Sequence, residues 1–285
     1  MGLCPRGDRM TTRYIGMGRW QGKLQRHQVA TWQERGMDNT ERFSARVEAY
    51  VKYRPGYPPA MLDFLADELA MGPASQVADI GAGTGILTAL LAPRVAGVWA
   101  VEPNQEMRVA AQQLLAGVAN VGWYDGRAEV TGLPDGCVDL ITVAQAFHWF
   151  DRPAFKQECR RLLKPGGRVA LIWNDRLTDT PFLKAYEAGL RTYSGDYEEV
   201  NHRNLGEADF AAFFEGDYRL ERFANRQLFD LDGVLGRLNS SSYAPVAGSQ
   251  AHTELTALIA REFERHAVNG VIAFNYNTLL YSGRV

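Results

Sequence analysis

Cysteine is scarce in this chain. Only Cys4, Cys137 and Cys159 occur among 285 residues, too few and too scattered for a disulfide framework or a cysteine-rich zinc site. Long apolar runs are also missing. No stretch of 18 or more apolar residues occurs, which predicts no membrane span. Nor is there an excess of one charge: 31 basic residues face 33 acidic ones, for a net charge of −2. A nucleic-acid binder with a strongly basic face is therefore not indicated. His202, His252 and His266 lack ligand-like spacing with acidic residues or cysteines, so no metal site is expected. What is present is 46% hydrophobic and 11% aromatic, ample for one packed core.

The near-neutral total hides an asymmetry. Residues 1–36 carry seven basic and two acidic side chains, which leaves the remaining 249 residues at −7. This head has six glycines and no apolar periodicity. It lacks the apolar segment of a secretory signal, and a cytoplasmic protein is expected. A transit peptide and a nucleic-acid arm both suit its charge. Its composition favours a disordered extension, with the folded domain over 37–285 and Met37 as its first residue.

Beyond Met37 the texture changes. Asn39 or Thr40 is placed to cap a helix that continues through Phe43, Val47 and Tyr50. The turn-rich run Tyr53-Arg54-Pro55-Gly56-Tyr57-Pro58-Pro59 breaks it. Met61, Leu62, Leu65 and Leu69 then recur at helical spacing up to Gly72-Pro73. Five apolar segments read as strands: 76–80, 95–101, 121–124, 138–144 and 168–173. Helical stretches separate them, the last over 155–163 and stopped by Lys164-Pro165-Gly166-Gly167. That alternation predicts an α/β, doubly wound parallel sheet. Residues 176–222 contain no comparable strand and suit a helical cap insertion. A strand near 220–228, helices near 234–239 and 255–266, and a β-rich run over 271–280 follow.

The first strand runs into Asp79-Ile80-Gly81-Ala82-Gly83-Thr84-Gly85, which opens a helix. Glycines there let the backbone turn tightly and approach a ligand. Glu102 ends the second strand, 21 residues after Gly81, where a carboxylate accepts from ribose hydroxyls. The loop has no lysine, so it is not a phosphate-binding P-loop. A dinucleotide fingerprint would place glycine or alanine at 86, where Ile86 stands. A carboxylate at Asp79 repels pyrophosphate and suits a cationic amino-acid moiety.

Four segments together resemble the class I S-adenosylmethionine-dependent methyltransferases. They are Val77 to Thr88, Val101-Glu-Pro-Asn104, Leu133 to Leu140, and Leu162-Leu-Lys-Pro-Gly-Gly-Arg168. The resemblance implies a Rossmann-like seven-stranded sheet, mostly parallel with the last strand antiparallel, and S-adenosyl-L-methionine as cofactor. It further implies that Gly81, Ala82, Gly83 and Gly85 line the methionine half, with Asp79 beneath. Glu102 would hold the ribose, Pro103 to Met107 would border the adenine, and Arg127-Ala128 would clamp its edge. Gln145, leaving the fourth strand, joins this set. Tyr53 to Pro58, Ala144 to Asp151 and Tyr276 to Arg284 are similar to the trans-aconitate methyltransferase-like, small-molecule branch.

Ligands of such sheets bind at the carboxyl ends of the strands. His148 and Trp149 leave the fourth strand there, so His148 is a candidate base or positioning group. Core packing is the competing role for both. Arg54 is a candidate clamp for an anionic acceptor, with Tyr53 and Tyr57 as walls and Arg284 as a second clamp. The expected function is methyl transfer to a small organic acceptor, a carboxylate among the candidates, without nucleic-acid or membrane partners. A nucleotide-dependent oxidoreductase and a non-catalytic cofactor-binding protein are the alternatives.

Overall fold

The computed structural model describes residues 47–195, 197–198 and 202–285. The extension over 1–36 and the start of the first helix lie outside them. In chain order the elements are α1 (Val47–Tyr53), α2 (Pro59–Leu69), β1 (Gln76–Ile80), α3 (Ile86–Leu91), β2 (Gly97–Val101), α4 (Gln105–Leu114), β3 (Val121–Tyr124) and β4 (Val138–Ala144). A 3-10 turn over Phe147–Trp149 leads to α5 (Arg152–Leu162) and β5 (Leu163–Arg176). The chain closes with α6 (Pro181–Tyr193), α7 (Glu207–Phe214), β6 (Tyr218–Phe229), α8 (Leu231–Asn239), α9 (Gln250–His266) and β7 (Ile272–Gly283).

The strands form one sheet in the order β3-β2-β1-β4-β5-β7-β6. β1 pairs in parallel with both β2 and β4, so the winding reverses between them. Only β7 runs antiparallel, against β5 and β6. Both faces of β1 are covered, as its buried Val-Ala-Asp-Ile run requires. One apolar layer gathers Met61, Leu65, Leu87 and Leu91 under the sheet. The other packs Phe147, Phe155, Trp173, Phe210 and Phe213 against the opposite face.

Local chemistry fixes the ends of several helices. Pro59 starts α2, where its missing N–H costs nothing. That helix stops at Leu69 rather than at Gly72-Pro73, because Ala70 takes the left-handed conformation. Asn104 caps α4 by accepting from the Met107 N–H at 2.9 Å, and Asp151 caps α5 through the Ala154 N–H at 3.1 Å. The Lys-Pro-Gly-Gly run ends α5 as expected but already belongs to β5. It forms an irregular start, paired at Val138 and slipping before Leu140, with Gly166 at φ +84°.

The helical cap is not confined to about 176–222. β6 begins at Tyr218, and the third apolar cluster joins Phe182, Leu183 and Tyr186 of α6 to Val234 and Leu238 of α8 and Leu255 of α9. Two excursions, one on each side of β6, therefore share one core. No helix among the described residues is long and apolar enough to cross a membrane.

Phe147 is fully buried and meets Phe155, Trp173 and Phe213 with ring centroids 6.1, 6.2 and 4.8 Å away. Phe147→Ala is expected to cost about 3–5 kcal/mol, read by chemical denaturation. It is also expected to loosen the turn that carries His148.

Candidate functional site

The carboxyl ends of β1, β2, β4 and β5 open into one cavity of about 260 Å³. Its floor is the loop after β1. Gly81 and Gly83 adopt φ +70° and +57°, conformations open mainly to glycine. A side chain at Gly81 would strike Ala146 at 2.7 Å, whereas at Gly83 nothing lies closer than Met107 Sδ at 4.0 Å. The Gly81 and Ala82 amides donate to the Val101 carbonyl at 2.8 and 3.0 Å, which pins the loop against β2.

Two carboxylates flank this loop. Glu102 accepts from the Gly83 N–H and the Asn104 N–H, both at 2.8 Å. It is buried and still lines the cavity. Burial, partly offset by those amides, raises its pKa. Asp79 is buried beneath the loop, accepting from Thr88 Oγ1 at 2.6 Å and Thr142 Oγ1 at 3.0 Å. Burial pushes its pKa up to about 6 against the pull of both hydroxyls.

Most of the expected cofactor residues converge. Pro103, Met107, Ala128 and Gln145 line the cavity with Glu102 and the two glycines. Arg127 reaches the rim, but its side chain is 80% exposed and leans toward Glu129. Ala82 lies in a small adjoining recess with Tyr57 and Asp79. Gln145 stands at φ +60°, a strained setting for a residue with a side chain. Its amide hydrogen-bonds the Tyr57 phenol, whose pKa burial holds well above normal.

Gly85 stands apart from Gly81 and Gly83. It lines neither hollow; a side chain there would meet Leu115 and Trp123, both at 3.2 Å. Its φ of +80° serves the start of α3 and close packing against α4 and β3.

The acceptor expectations divide. His148 and Trp149 line the cavity, and the Trp173 indole points toward His148 Nδ1 at 3.5 Å. Arg54 lines it too, donating through Nε and Nη2 to the Ser240 carbonyl at 3.2 and 2.8 Å. Its guanidinium lies 4.7 Å over the Tyr50 ring. Tyr53 does not wall this cavity. It packs against Gly236, where an added Cβ would sit 2.2 Å from its ring. Tyr50, one turn earlier, takes that place. Arg284 is also a correction. Because β7 is antiparallel, Gly283 pairs with Val169 at the start of β5, while Tyr276 pairs with Arg176 at its end. Arg284 therefore lies at the edge opposite the cavity.

The sequence did not single out Arg176, Tyr197, Arg203, Arg237, Ser242 or Tyr243, which also line the cavity. Arg176 had a usable signal, since it ends β5 at the ligand edge. It pairs with Glu187 at 2.5 Å, and Arg203 pairs with Asp175 at 2.8 Å. Arg237 had one as well, sitting between Val234 and Leu238 on the buried face of α8. The others lie in irregular segments. Among the described residues, no group of three or more histidines, cysteines and acids is placed to hold a metal ion.

Comparison with known proteins follows this geometry. Residues 78–171 match the family described as "Methyltransferase domain". An uncharacterized methyltransferase of Mycobacterium bovis is 42% identical over 138 residues, covering 47% of this chain and 52% of that protein. The chain thus spans about half the length of its mycobacterial relatives. An uncharacterized methyltransferase of Schizosaccharomyces pombe is 29% identical across 84% of this chain and 95% of that protein. A putative methyltransferase from an antibiotic biosynthesis pathway of Anabaena variabilis shares the fold. Its TM-score is 0.57 at 23% identity, over 81% of this chain and 98% of that one.

Two titrations check the electrostatics. The Asp79 carboxyl holds its proton up to about pH 6 when folded, against 3.8 normally. Below 3.8 both folded and unfolded chains are protonated. From there to about 6 only the folded chain is, so Asp79 costs stability increasingly as pH rises. Asp79→Asn is expected to remove that slope and to stabilise the ligand-free protein near neutrality by up to about 3 kcal/mol, measured by denaturation across pH. Separately, burial opposes ionisation of Tyr243, but Arg176, Arg237 and Arg54 outweigh it and lower its pKa to about 8. Ultraviolet difference titration is expected to show one tyrosine ionising there, and Tyr243→Phe to abolish it.

Proposed function

We propose that this chain, which carries a methyltransferase domain over residues 78–171, transfers the methyl group of S-adenosylmethionine to a small, anionic organic acceptor. One observation carries the reading: a single cavity joins a glycine loop flanked by two carboxylates to a wall of guanidiniums. The donor set fits the cofactor. Asp79 suits a cationic amino group above the loop, Glu102 suits ribose hydroxyls, and the open space at Gly83 admits close approach. The same carboxylates disfavour a dinucleotide pyrophosphate, and with it the oxidoreductase alternative.

When bound, the cofactor supplies a methyl group on a sulfonium, a good leaving group. The chain's own part is positioning. Glu102 and the Ala128 segment would hold the donor, with Asp79 supporting the loop from beneath. Arg54 draws an anionic acceptor toward the opposite wall. Phe147 and Trp173 hold the turn that presents His148 and Trp149 to the space between. With Nδ1 turned to the Trp173 indole, His148 offers its Nε2–H to orient the acceptor; the proton of a hydroxyl or amine acceptor leaves to water, whereas a carboxylate has none to lose. Orientation of the two reactants for in-line displacement is the main source of acceleration.

Calorimetry is expected to show binding of S-adenosylmethionine and S-adenosylhomocysteine. With methyl-labelled cofactor and a metabolite extract, mass spectrometry is expected to find label in small acidic molecules. Failure to bind either cofactor form would sink the proposal. Binding without transfer to any small molecule would leave the non-catalytic alternative standing.

A further inference from the structure

Five arginines line the cavity, and three have acidic partners, Arg127 leaning toward Glu129 at the rim. Arg176 faces Glu187, and Arg203 faces Asp175. Arg54 and Arg237 form no ion pair among the described residues. Arg237 is 5% exposed. Its Nη1 donates to Ser241 Oγ at 2.9 Å and Ser240 Oγ at 3.4 Å, and its Nε to the Tyr276 hydroxyl at 3.4 Å. All these partners are neutral. Among the described residues its Nη2 makes no hydrogen bond, nor does Nη1 of Arg54, although both side chains line the cavity. Both guanidiniums bond to Ser240, which sets them side by side. Burial, and then the Arg237 charge, lower the Arg54 pKa.

A buried, unpaired guanidinium is costly, and two adjacent ones repel. A bound anion relieves both costs. Beside Arg176, these two arginines also draw Tyr243 toward ionisation.

We propose that Arg237 and Arg54 together bind a carboxylate or phosphate of the acceptor, and that this anion is an anchor rather than the group that is methylated. The proposal rests on the methyl-transfer reading above. Its second half follows from charge. Methylating an anion removes its negative charge, so two guanidiniums on that anion would stabilise it before transfer and lose their partner during transfer. Binding of that kind raises the barrier. The anchor therefore keeps its charge throughout. A second group of the acceptor forms the bond to the methyl carbon while the carbon–sulfur bond breaks and sulfur keeps the electron pair. Any proton on that group passes to water. The acceptor class is thus a bifunctional molecule: one permanent anion and one separate nucleophile.

The test uses full-length protein saturated with S-adenosylhomocysteine, titrated with succinate, inorganic phosphate and uncharged succinamide. Succinate or phosphate is expected to bind and succinamide is not; the stronger of the two distinguishes a carboxylate from a phosphate anchor. Arg237→Gln is expected to weaken the anion roughly ten- to a hundredfold, the usual scale of a charge-assisted hydrogen bond. Arg237→Lys is expected to restore part of the loss. S-adenosylhomocysteine affinity is expected to hold in both variants, which also reports folding. Should Arg237→Gln not fold, Arg237→Lys and Arg54→Lys carry the comparison. Labelled products from the extract are expected to retain an acidic group and to bind an anion-exchange resin. Equal anion affinity in wild type and variants, or labelled products without any acid, would overturn the proposal. If wild type fails to bind S-adenosylhomocysteine, the methyl-transfer reading fails first. If it binds that ligand but neither anion, only the anchor fails.

Discussion

The Asp79 carboxylate is held inside the sheet by hydroxyls from two directions, Thr88 on α3 and Thr142 on β4. Much of the site depends on this arrangement. Thr142 belongs to the strand beside β1, and Thr88 to the helix that the glycine loop opens. The bond therefore ties strand, loop and helix at the point where the winding reverses. Glu102 completes the frame by accepting from Gly83 and Asn104. Each acid is kept close to a loop that cannot move without breaking a buried hydrogen bond. A buried negative charge is unfavourable by itself. The two hydroxyls offset part of that cost, which gives the loop chemical direction as well as shape.

The sequence exposed this half of the site because its constraints are local. Gly81 and Gly83 are needed for backbone conformation, Asp79 and Glu102 for charge, and all four fall at strand ends recognisable from apolar runs. The same locality misleads at Gly85. A third glycine in the loop suggests a third ligand contact, yet its partner is the neighbouring helix. The strand register of β7 was not legible either. A terminal run such as Tyr276 to Arg284 does not announce its direction. Antiparallel pairing with β5 sends Tyr276, not Arg284, to the ligand edge.

The acceptor wall was less visible for a related reason. Tyr197 lies far in the chain from Arg237 and Tyr243, which sit on α8 and the loop after it; the shared core of α6, α8 and α9 brings them together. No spacing rule links them. Their only trace was Arg237, a charge on an otherwise apolar helix face. Such a residue breaks the helical pattern without an evident local gain, and breaks of that kind concentrate at functional sites.

α6, α8 and α9 pack as a cluster of their own, whereas α7 lends Phe210, Phe213 and Phe214 to one of the layers against the sheet. The glycine loop and the Arg237 side of the cavity are thus backed largely by different side chains, while the His148 turn rests on the sheet layer. Substitutions that reshape the Arg237 side need not disturb the loop. Such modularity lets one side of the cavity vary while the other stays constant. For protein engineering, the loops beside α8 offer a place to alter specificity at little risk to the chemical step.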